Sequence, residues 1–399
     1  MRTKSVIAGL VCCLALLYLA AITVEEAYYP RDNYAHADNP LPGPMTDEEI
    51  EVREIDVTLN RPWDIEFLTD GSMLVTEQFG TVKLLTRASD YTHSVEILNI
   101  EPFIRSETGL LGLAVDPDFM SNGYLYLYHT TAPIPEIEHA VMNRIDQYRL
   151  DHMKMVFVRT ILAEIPGTFA HSGGRLEFGP DHKLYATIGD GPERRRYQDL
   201  EYLGAKILRM NRDGGVPVDN PIPGSLIYTI GHRNPQGISW HPLTHEAFSA
   251  EHGPSRHDEI NRLSPGANYG WDTYACRKQK VTGWRRLLIR FEAVLPDSIV
   301  SMGTQFPIFC TEDYTLAPSG IAFVDDETHP WFGDLFVAAL HGQHLRRFRF
   351  DSLGDYLGSE VFYRRSEGHD PRLRDVEYHD GSLYVIGDSR GLTRISPRR

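Results

Sequence analysis

The hydrophobic residues of this chain are arranged in short paired runs. In each pair, an apolar or alternating run is followed by a turn and then by a second apolar run. The six pairs begin at Trp63, Leu113, Leu176, Ile238, Ile321 and Val376. Short strands rich in aromatic and β-branched residues, joined by Asp-Gly or Pro-Asp turns, are typical of β-hairpins. The pattern therefore predicts antiparallel β-structure through the body of the chain.

The spacing of these pairs predicts how the strands are organised. The copies recur at intervals of roughly 45–90 residues, a range in which repeats indicate propellers or solenoids. A four-stranded blade cannot bury both of its faces alone, whereas six blades stacked radially bury a continuous core. We therefore predict an all-β fold, a six-bladed β-propeller of four-stranded antiparallel blades, over residues 51–399. The alternative is a β-sandwich, which would not need six similar copies.

The residues before the predicted propeller have the composition of an export segment. Arg2 and Lys4 precede an apolar stretch at residues 5–22, and residues 23–50 form a polar, Pro-rich linker. The apolar stretch is at the short end of the roughly 17–25 residues that span a bilayer. Residues 1–22 are predicted to be a signal peptide or an uncleaved membrane anchor. Either one places the body outside the cytoplasm, in a periplasmic or extracellular location.

The net charge bears on the possible ligands of this chain, and its cysteines bear on its redox compartment. The 399-residue chain has a net charge of −15, which repels phosphate backbones and argues against nucleic-acid binding. Two of its four cysteines, Cys276 and Cys310, flank a predicted insertion at about 275–312. An exported protein can keep a disulfide, and we predict a bridge between these two cysteines. The alternative is two separate thiols.

The segment Gly231–Gly237 has the composition of a shaped loop. Its two glycines allow torsions that other residues avoid, and Pro235 fixes φ and removes a donor. Such a loop presents Arg233 and Asn234 from a rigid frame, and loops of this kind often carry function. Taken alone, the loop is also consistent with a tight turn whose arginine forms a surface ion pair.

Two further segments add candidate chemistry. His171 stands next to Ser172 and two glycines, and histidine is the usual general base near neutral pH, although one such histidine is more often structural. Residues 251–261 mix carboxylates with Gly and Pro carbonyls, which are oxygen ligands suited to calcium. The alternative for this segment is a solvated acidic loop. His252 and His257, within it, are predicted to be surface residues.

Together, these motifs resemble those of the soluble glucose/sorbosone dehydrogenases, aldose sugar dehydrogenases that use pyrroloquinoline quinone (PQQ). The resemblance extends over about residues 57–395. Each motif is weak by itself, and their number and order carry the resemblance. The motifs are residues 109–114, 171–176, 231–237, 251–254, 258–261, 268–271, 317–320 and 372–376.

The resemblance implies a role for each matching residue. His171 corresponds to the general base, and Arg233 to the arginine that contacts both quinone and sugar. The residues that correspond to cofactor-binding positions are Glu107, Asn234, His341, Arg372 and Arg374. The residues that correspond to calcium ligands, or offer oxygen atoms beside them, are Gly253, Pro254, Asp258, Glu259 and Tyr269. Gly253 and Pro254 would ligate the calcium under the quinone, and Glu259 and Tyr269 a second, structural calcium.

Three positions depart from the pattern of the best-known sugar oxidiser in the family. Glu107 stands where that pattern has glutamine, and His341 where it has a lysine facing a quinone carboxylate. Ala170 replaces an acidic residue just before the candidate base, which removes a possible orienter of the imidazole.

The resemblance implies an exported quinoprotein that oxidises the anomeric carbon of aldose sugars to lactones by hydride transfer to calcium-bound PQQ. Because the chain has no Cys-x-x-Cys-His haem motif, electrons would leave to a separate acceptor. The alternatives are a propeller that has lost the quinone and serves as a binding module, and a lactonase-type hydrolase.

Overall fold

A computed structural model shows the architecture of the chain. It describes residue 46 and residues 48–272, 274–275, 279–280, 305–311, 314–364, 372–388 and 391–398. The predicted signal or anchor segment and most of the predicted insertion lie outside these residues. No helix in the described ranges is long and apolar enough to span a bilayer.

Six four-stranded antiparallel sheets form the blades of a β-propeller, as predicted. The first blade comprises β2 (Pro62–Phe67), β3 (Met73–Glu77), β4 (Thr81–Leu85) and β5 (Ser94–Asn99). The second comprises β6 (Leu110–Val115), β7 (Tyr124–Pro133), β8 (Ala140–Asp151) and β9 (Lys154–Thr168). The third comprises β10 (Gly173–Phe178), β11 (Leu184–Ile188), β12 (Lys206–Met210) and β13 (Ile227–Ile230).

The remaining blades follow the same plan. The fourth comprises β14 (Pro235–Trp240), β15 (Ala247–Glu251), β16 (Glu259–Leu263) and β19 (Phe309–Cys310). The fifth comprises β20 (Pro318–Phe323), β21 (Leu335–Ala339), β22 (His344–Phe350) and β23 (Tyr356–Tyr363). The sixth comprises β24 (Leu373–His379), β25 (Ser382–Gly387), β26 (Leu392–Pro397) and β1 (Ile50–Ile55). A small hairpin of β17 (Tyr274–Ala275) and β18 (Gln279–Lys280), the helix α1 (Phe119–Asn122) and two 3₁₀ turns (Arg87–Ser89 and Arg194–Arg196) complete the described elements.

The ring of blades is closed by strands from the two ends of the propeller. β1 pairs antiparallel with β26, in the register Ile50 opposite Pro397 through Ile55 opposite Leu392. The first strands of the blades (β2, β6, β10, β14, β20 and β24) each contact the next, and β24 contacts β2. These six inner strands therefore form a closed ring, and closure removes most free sheet edges. β1 begins at Ile50, the last residue of the predicted linker.

The predicted disulfide is supported at one of its two ends. Cys310, on the outer strand of the fourth blade, is disulfide-bonded. Its predicted partner, Cys276, lies outside the described residues.

Charged and small residues alternate around the inner ring. β2, β10 and β24 carry Asp64 and Glu66, Arg175 and Glu177, and Asp375 and Glu377, whereas β6, β14 and β20 carry glycine next to the buried charges. A side chain at Gly320 of β20 would overlap the Asp375 carboxylate. Gly320 therefore leaves the space that the Asp375 carboxylate fills, whereas Gly112 and Gly237 allow the backbone of the next inner strand to approach closely.

Arg175 links strands on different sides of this ring. Its guanidinium forms ion pairs with Asp64 of β2 and, at 3.1 Å, with Asp375 of β24. Its Nε donates to the carbonyl of Gln236 on β14 at 3.0 Å, and the group lies 4.5 Å from the centre of the Trp63 ring. Asp64 also accepts a hydrogen bond from the backbone, because the Leu113 N–H lies 2.7 Å from its carboxylate. This cluster ties five of the six inner strands together.

Three glutamates, Glu66, Glu177 and Glu377, each lie two residues after a member of this cluster, and their pKa values are raised. Burial raises the pKa of Glu177 to about 7, and Arg175 offsets the effect only in part. Burial also raises the pKa values of Glu66 and Glu377 well above the ordinary value, and the neighbouring Glu177 carboxylate adds to both effects. With a pKa of about 7, Glu177 is therefore partly protonated at neutral pH.

We predict that Glu177→Gln makes the protein more stable at high pH. A carboxyl group whose pKa is raised on folding stabilises the fold while protonated, and this contribution is lost as pH rises from about 4.5 through about 7. The variant's melting temperature should exceed that of the wild type by much less at pH 5 than at pH 8. Glu51→Gln, at an exposed position, should change neither value. Equal effects of Glu177→Gln at both pH values would contradict the assignment.

Candidate active site

The candidate catalytic loops lie at one face of the inner ring. His171 precedes β10, Arg233 and Asn234 precede β14, and Arg372 precedes β24. Because each of these loops enters the first strand of a blade, they meet where the inner strands begin. Gly173 contributes to this close approach, since its φ of 62° is one that favours glycine.

Asn234 joins three of the predicted segments. Its Oδ1 accepts the Gly173 N–H at 3.1 Å, and its Nδ2 lies 3.4 Å from both Glu107 Oε2 and the Ala170 carbonyl. The side chain is fully buried. Asn234 therefore positions the loop that carries His171 against the loop that carries Glu107. Burial raises the pKa of Glu107, although His171 and Arg374 act in the opposite direction.

The two predicted carboxylate-binding arginines share one partner that the sequence analysis missed. Arg374 donates to Asp388 Oδ1 from Nη2 at 2.7 Å and from Nε at 3.1 Å, and Arg372 Nε donates to Oδ2 at 3.0 Å. Burial disfavours the charged carboxylate, but the two guanidiniums outweigh it and lower the pKa of Asp388 to about 2. Gln236 completes the link to Glu107, because its Oε1 accepts from Arg374 at 3.0 Å and its Nε2 lies 3.4 Å from Glu107.

His171 is oriented by a second carboxylate that the sequence analysis missed. His171 Nδ1 lies 3.0 Å from Asp190 Oδ1, and the indole N–H of Trp271 donates to Asp190 Oδ2 at 3.0 Å. An ionised Asp190 can only accept hydrogen bonds, so the imidazole proton is assigned to Nδ1 and Nε2 is left with its lone pair. Asp190 is buried, whereas the His171 side chain is 26% exposed. Asp190 therefore supplies the orientation that the replacement of an acidic residue by Ala170 had put in doubt.

A repeated tripeptide is the sequence signal for both carboxylates. Ile188-Gly189-Asp190 ends the second strand of the third blade, and Ile386-Gly387-Asp388 ends the second strand of the sixth. Equivalent positions in different blades project towards the same face, so the repetition places both acids at the site.

Arg233 lies between the candidate base and the predicted calcium loop. Its Nη1 donates to the carbonyls of His252 at 3.2 Å and Gly253 at 2.9 Å, and its guanidinium lies 5.5 Å from the centre of the Trp271 ring. Its carbonyl accepts the Asp190 N–H at 2.7 Å. Its Nε is buried and has no hydrogen-bond partner within the described ranges. Arg233 thus packs against the residues that hold His171.

His252 is not the surface residue that was predicted. Its Nε2 is buried and has no hydrogen-bond partner in the part of the chain that the structure describes. Burial and the nearby Arg233 and Arg374 hold its pKa well below the ordinary value, so the imidazole is neutral. A buried polar atom without a partner is costly, and here it lies among cationic groups at the candidate site. His341, another predicted cofactor residue, is partly buried in the turn between β21 and β22.

The predicted calcium ligands fall into two groups. The Gly253 carbonyl accepts from Arg233, and the Pro254 carbonyl accepts the Arg256 N–H at 2.6 Å. Each carbonyl oxygen has a second lone pair, so both remain candidate ligands. Asp258 is buried and has a structural use, since it accepts the N–H groups of Gly253 (2.9 Å), Leu316 (2.6 Å) and Ala317 (2.8 Å).

The other two predicted ligands lie further along the fourth blade. Glu259 is on β16, opposite Glu251 and Cys310. The Tyr269 hydroxyl donates to the Arg262 carbonyl at 2.7 Å, and its ring stacks on His232 at 4.8 Å. Across the residues that the structure describes, no group of three or more His, Cys, Asp or Glu side chains is arranged to hold a metal ion.

We predict that Asp258→Ala destabilises the fold whether or not calcium is present. Three backbone N–H groups would lose their acceptor, at about 1–3 kcal/mol for each one left buried and unpaired. Asp258→Asn, which keeps one acceptor oxygen, should lose less. Urea unfolding in EDTA and in calcium would give the same loss for a structural carboxylate. A loss seen only in calcium would instead identify Asp258 as a ligand.

Comparison with known proteins places these features in a family. The sequence profile of glucose/sorbosone dehydrogenases matches residues 59–394. Aldose sugar dehydrogenase YliI from Escherichia coli (strain K12) is 29% identical over 363 residues, which cover 88% of this chain and 93% of that protein. Quinoprotein glucose dehydrogenase B from Acinetobacter calcoaceticus is 33% identical over 292 residues, 64% of this chain and 60% of that protein. The structure of the PQQ-bound aldose sugar dehydrogenase from Streptomyces coelicolor superposes with a TM-score of 0.70 at 28% identity, covering 88% of this chain and 99% of that one.

Proposed function

Because this chain belongs to the glucose/sorbosone dehydrogenase family, we propose that it oxidises the anomeric carbon of aldose sugars to lactones with PQQ as electron acceptor. The observation that carries the proposal is the pairing of His171 with Asp190 beside three arginines, Arg233, Arg372 and Arg374. A base held in one tautomer next to clustered guanidiniums suits proton abstraction near a bound polyanion.

The donor set fits a quinone that carries three carboxylates. Arg374 uses Nε and both terminal nitrogens for Asp388 and Gln236, yet each terminal nitrogen carries a second N–H. Among the residues that the structure describes, the buried Arg233 Nε and His252 Nε2 have no hydrogen-bond partner. Bound PQQ would supply a quinone that accepts two electrons from the sugar. Arg372, Arg374, Asn234, Glu107 and His341 are proposed to hold it.

His171 has the geometry of a general base for the sugar's anomeric hydroxyl. Its Nε2 can take the hydroxyl proton, because Nδ1–H is engaged by Asp190. Asp190 then stabilises the imidazolium that forms, and Trp271 fixes the carboxylate in turn. Arg233, packed on Trp271, is placed to contact both the sugar and the cofactor. A binding module would not need the oriented base, and this contrast favours the enzyme.

Calcium fits this site only in part. The Gly253 and Pro254 carbonyls offer two oxygens, whereas calcium takes six to eight. We therefore propose that calcium is held together with the cofactor and does not occupy a complete protein cage. The second, structural calcium at Glu259 and Tyr269 also stays a proposal.

We also propose that the enzyme works outside the cytoplasm and passes its electrons to a separate carrier. The disulfide at Cys310 supports this, because disulfides persist in oxidising compartments. Membrane anchoring through residues 5–22 remains part of the same proposal.

We predict that His171→Gln lowers turnover by roughly 10²–10⁴-fold while PQQ still binds, because a general base typically contributes that much. Asp190→Asn should also lower turnover, since the amide can present N–H to Nδ1 and favour the wrong tautomer. The matched control is His93→Gln, at an exposed position. Steady-state rates with an aldose and a redox dye measure the effect. Normal turnover in His171→Gln would show that His171 is not the general base.

We predict that Arg372→Gln/Arg374→Gln weakens PQQ binding by more than about a hundredfold, because two charge-assisted contacts are lost. Binding is followed by the quinone absorbance as PQQ is titrated into the apoprotein, in separate experiments with calcium, with EDTA and with zinc. Calcium should support PQQ binding and dye reduction, and zinc should support neither. Arg349→Gln/Arg398→Gln, which removes the same charge at exposed positions, is the control. A folded wild type that binds no PQQ would favour the binding-module alternative.

A further inference from the structure

A second cavity lies at the face of the propeller opposite to the candidate active site. It is a cleft of about 510 Å³ between the second and third blades, lined by residues such as Asp116, after β6, and Lys183, between β10 and β11. The candidate active site lies where β10 begins, so the length of that strand, about 20 Å, separates the two. The volume falls within the range of small-molecule sites.

One wall of the cleft carries an exposed arginine, Arg159, that is anchored through its Nε. Arg159 Nε donates to Gln147 Oε1 at 3.0 Å, and Gln147 Nε2 donates to the Tyr126 hydroxyl at 2.8 Å. That hydroxyl donates to Asp116 Oδ2 at 3.0 Å. Gln147, Tyr126 and Asp116 are all buried. Within the described part of the chain, the terminal nitrogens of Arg159 make no hydrogen bond.

The facing wall brings a second cation. Lys183 Nζ donates to Asn211 Oδ1 at 2.8 Å. Among the described residues, no carboxylate lies within ion-pair distance of Arg159 or Lys183, although Asp219 interacts with Lys183 from further away. Two carboxylates line the cleft: Asp116 accepts from Tyr126 and lies 3.4 Å from Arg212 Nη1, and the exposed Asp213 accepts the Gly215 N–H at 2.9 Å.

Two cations from different blades thus line one concave space. The planar guanidinium, with its terminal nitrogens available, suits a bidentate oxyanion, and the lysine adds a point charge. A neutral sugar would leave both charges uncompensated.

We propose that the cleft binds a small oxyanion, the phosphate or carboxylate group of a metabolite, between Arg159 and Lys183. The partly buried Tyr124 ring lines the same space and would contact the body of the ligand. The site is independent of the proposed sugar oxidation.

The test is isothermal titration of the full chain with inorganic phosphate and with malonate, at an ionic strength held constant with sodium chloride. We expect saturable binding of at least one of the two anions. Arg159→Gln/Lys183→Gln should weaken it by at least about tenfold, the loss expected for charge-assisted hydrogen bonds. The matched control, Lys154→Gln/Arg398→Gln, has the same net charge and alters exposed residues that do not line the cleft.

The two anions also separate the sources of the ligand. Tighter binding of phosphate points to a phosphorylated metabolite, and tighter binding of malonate to a carboxylate. Both variants should keep the wild-type melting temperature and dye-reduction rate, because neither pair touches the candidate active site. Absence of saturable binding to the wild type, or equal weakening in both double variants, would overturn the proposal.

Discussion

The candidate site depends on the ion cluster around Arg175 at the centre of the propeller. Arg175 joins β10 to Asp64 on β2, to Asp375 on β24 and to the Gln236 carbonyl on β14. Asp375 directly follows Arg374, and Gln236 also binds Arg374. The cluster therefore fixes the positions of the strands that carry the site relative to one another. Breaking such a buried pair typically costs about 3–5 kcal/mol, because an uncompensated charge remains.

The acidic residue at the end of the second strand of a blade has a different hydrogen-bond partner in each of three blades. The carboxylates that follow Ile-Gly in the third and sixth blades hold a histidine in one case and two arginines in the other. In the fourth blade, Glu251 ends the second strand and binds His232 Nδ1 at 2.7 Å. Repetition of the backbone thus brings acidic groups to one face, and the loop opposite each acid decides what it orients.

The physical character of the inner ring explains why it tolerates so many acids. Burial favours the protonated form of Glu177 and raises the pKa of Asp64, while Arg175 acts in the opposite direction on both carboxyl groups. Gly320 on β20 leaves the space that the Asp375 carboxylate fills. A change in charge or in volume at these positions would therefore disturb the ring.

The six-fold hydrophobic pattern alone determined the propeller and its approximate start, because strand alternation and turn residues act locally. The Gly-rich loops likewise marked His171, Arg233 and Asn234 as candidates. Only the tertiary structure decided which groups orient them. Asp190 is 19 residues from His171, and no local periodicity links the two. The same holds for the burial of His252 Nε2 and for the use of Asp258 by three backbone donors, since burial and hydrogen bonding depend on which blades meet.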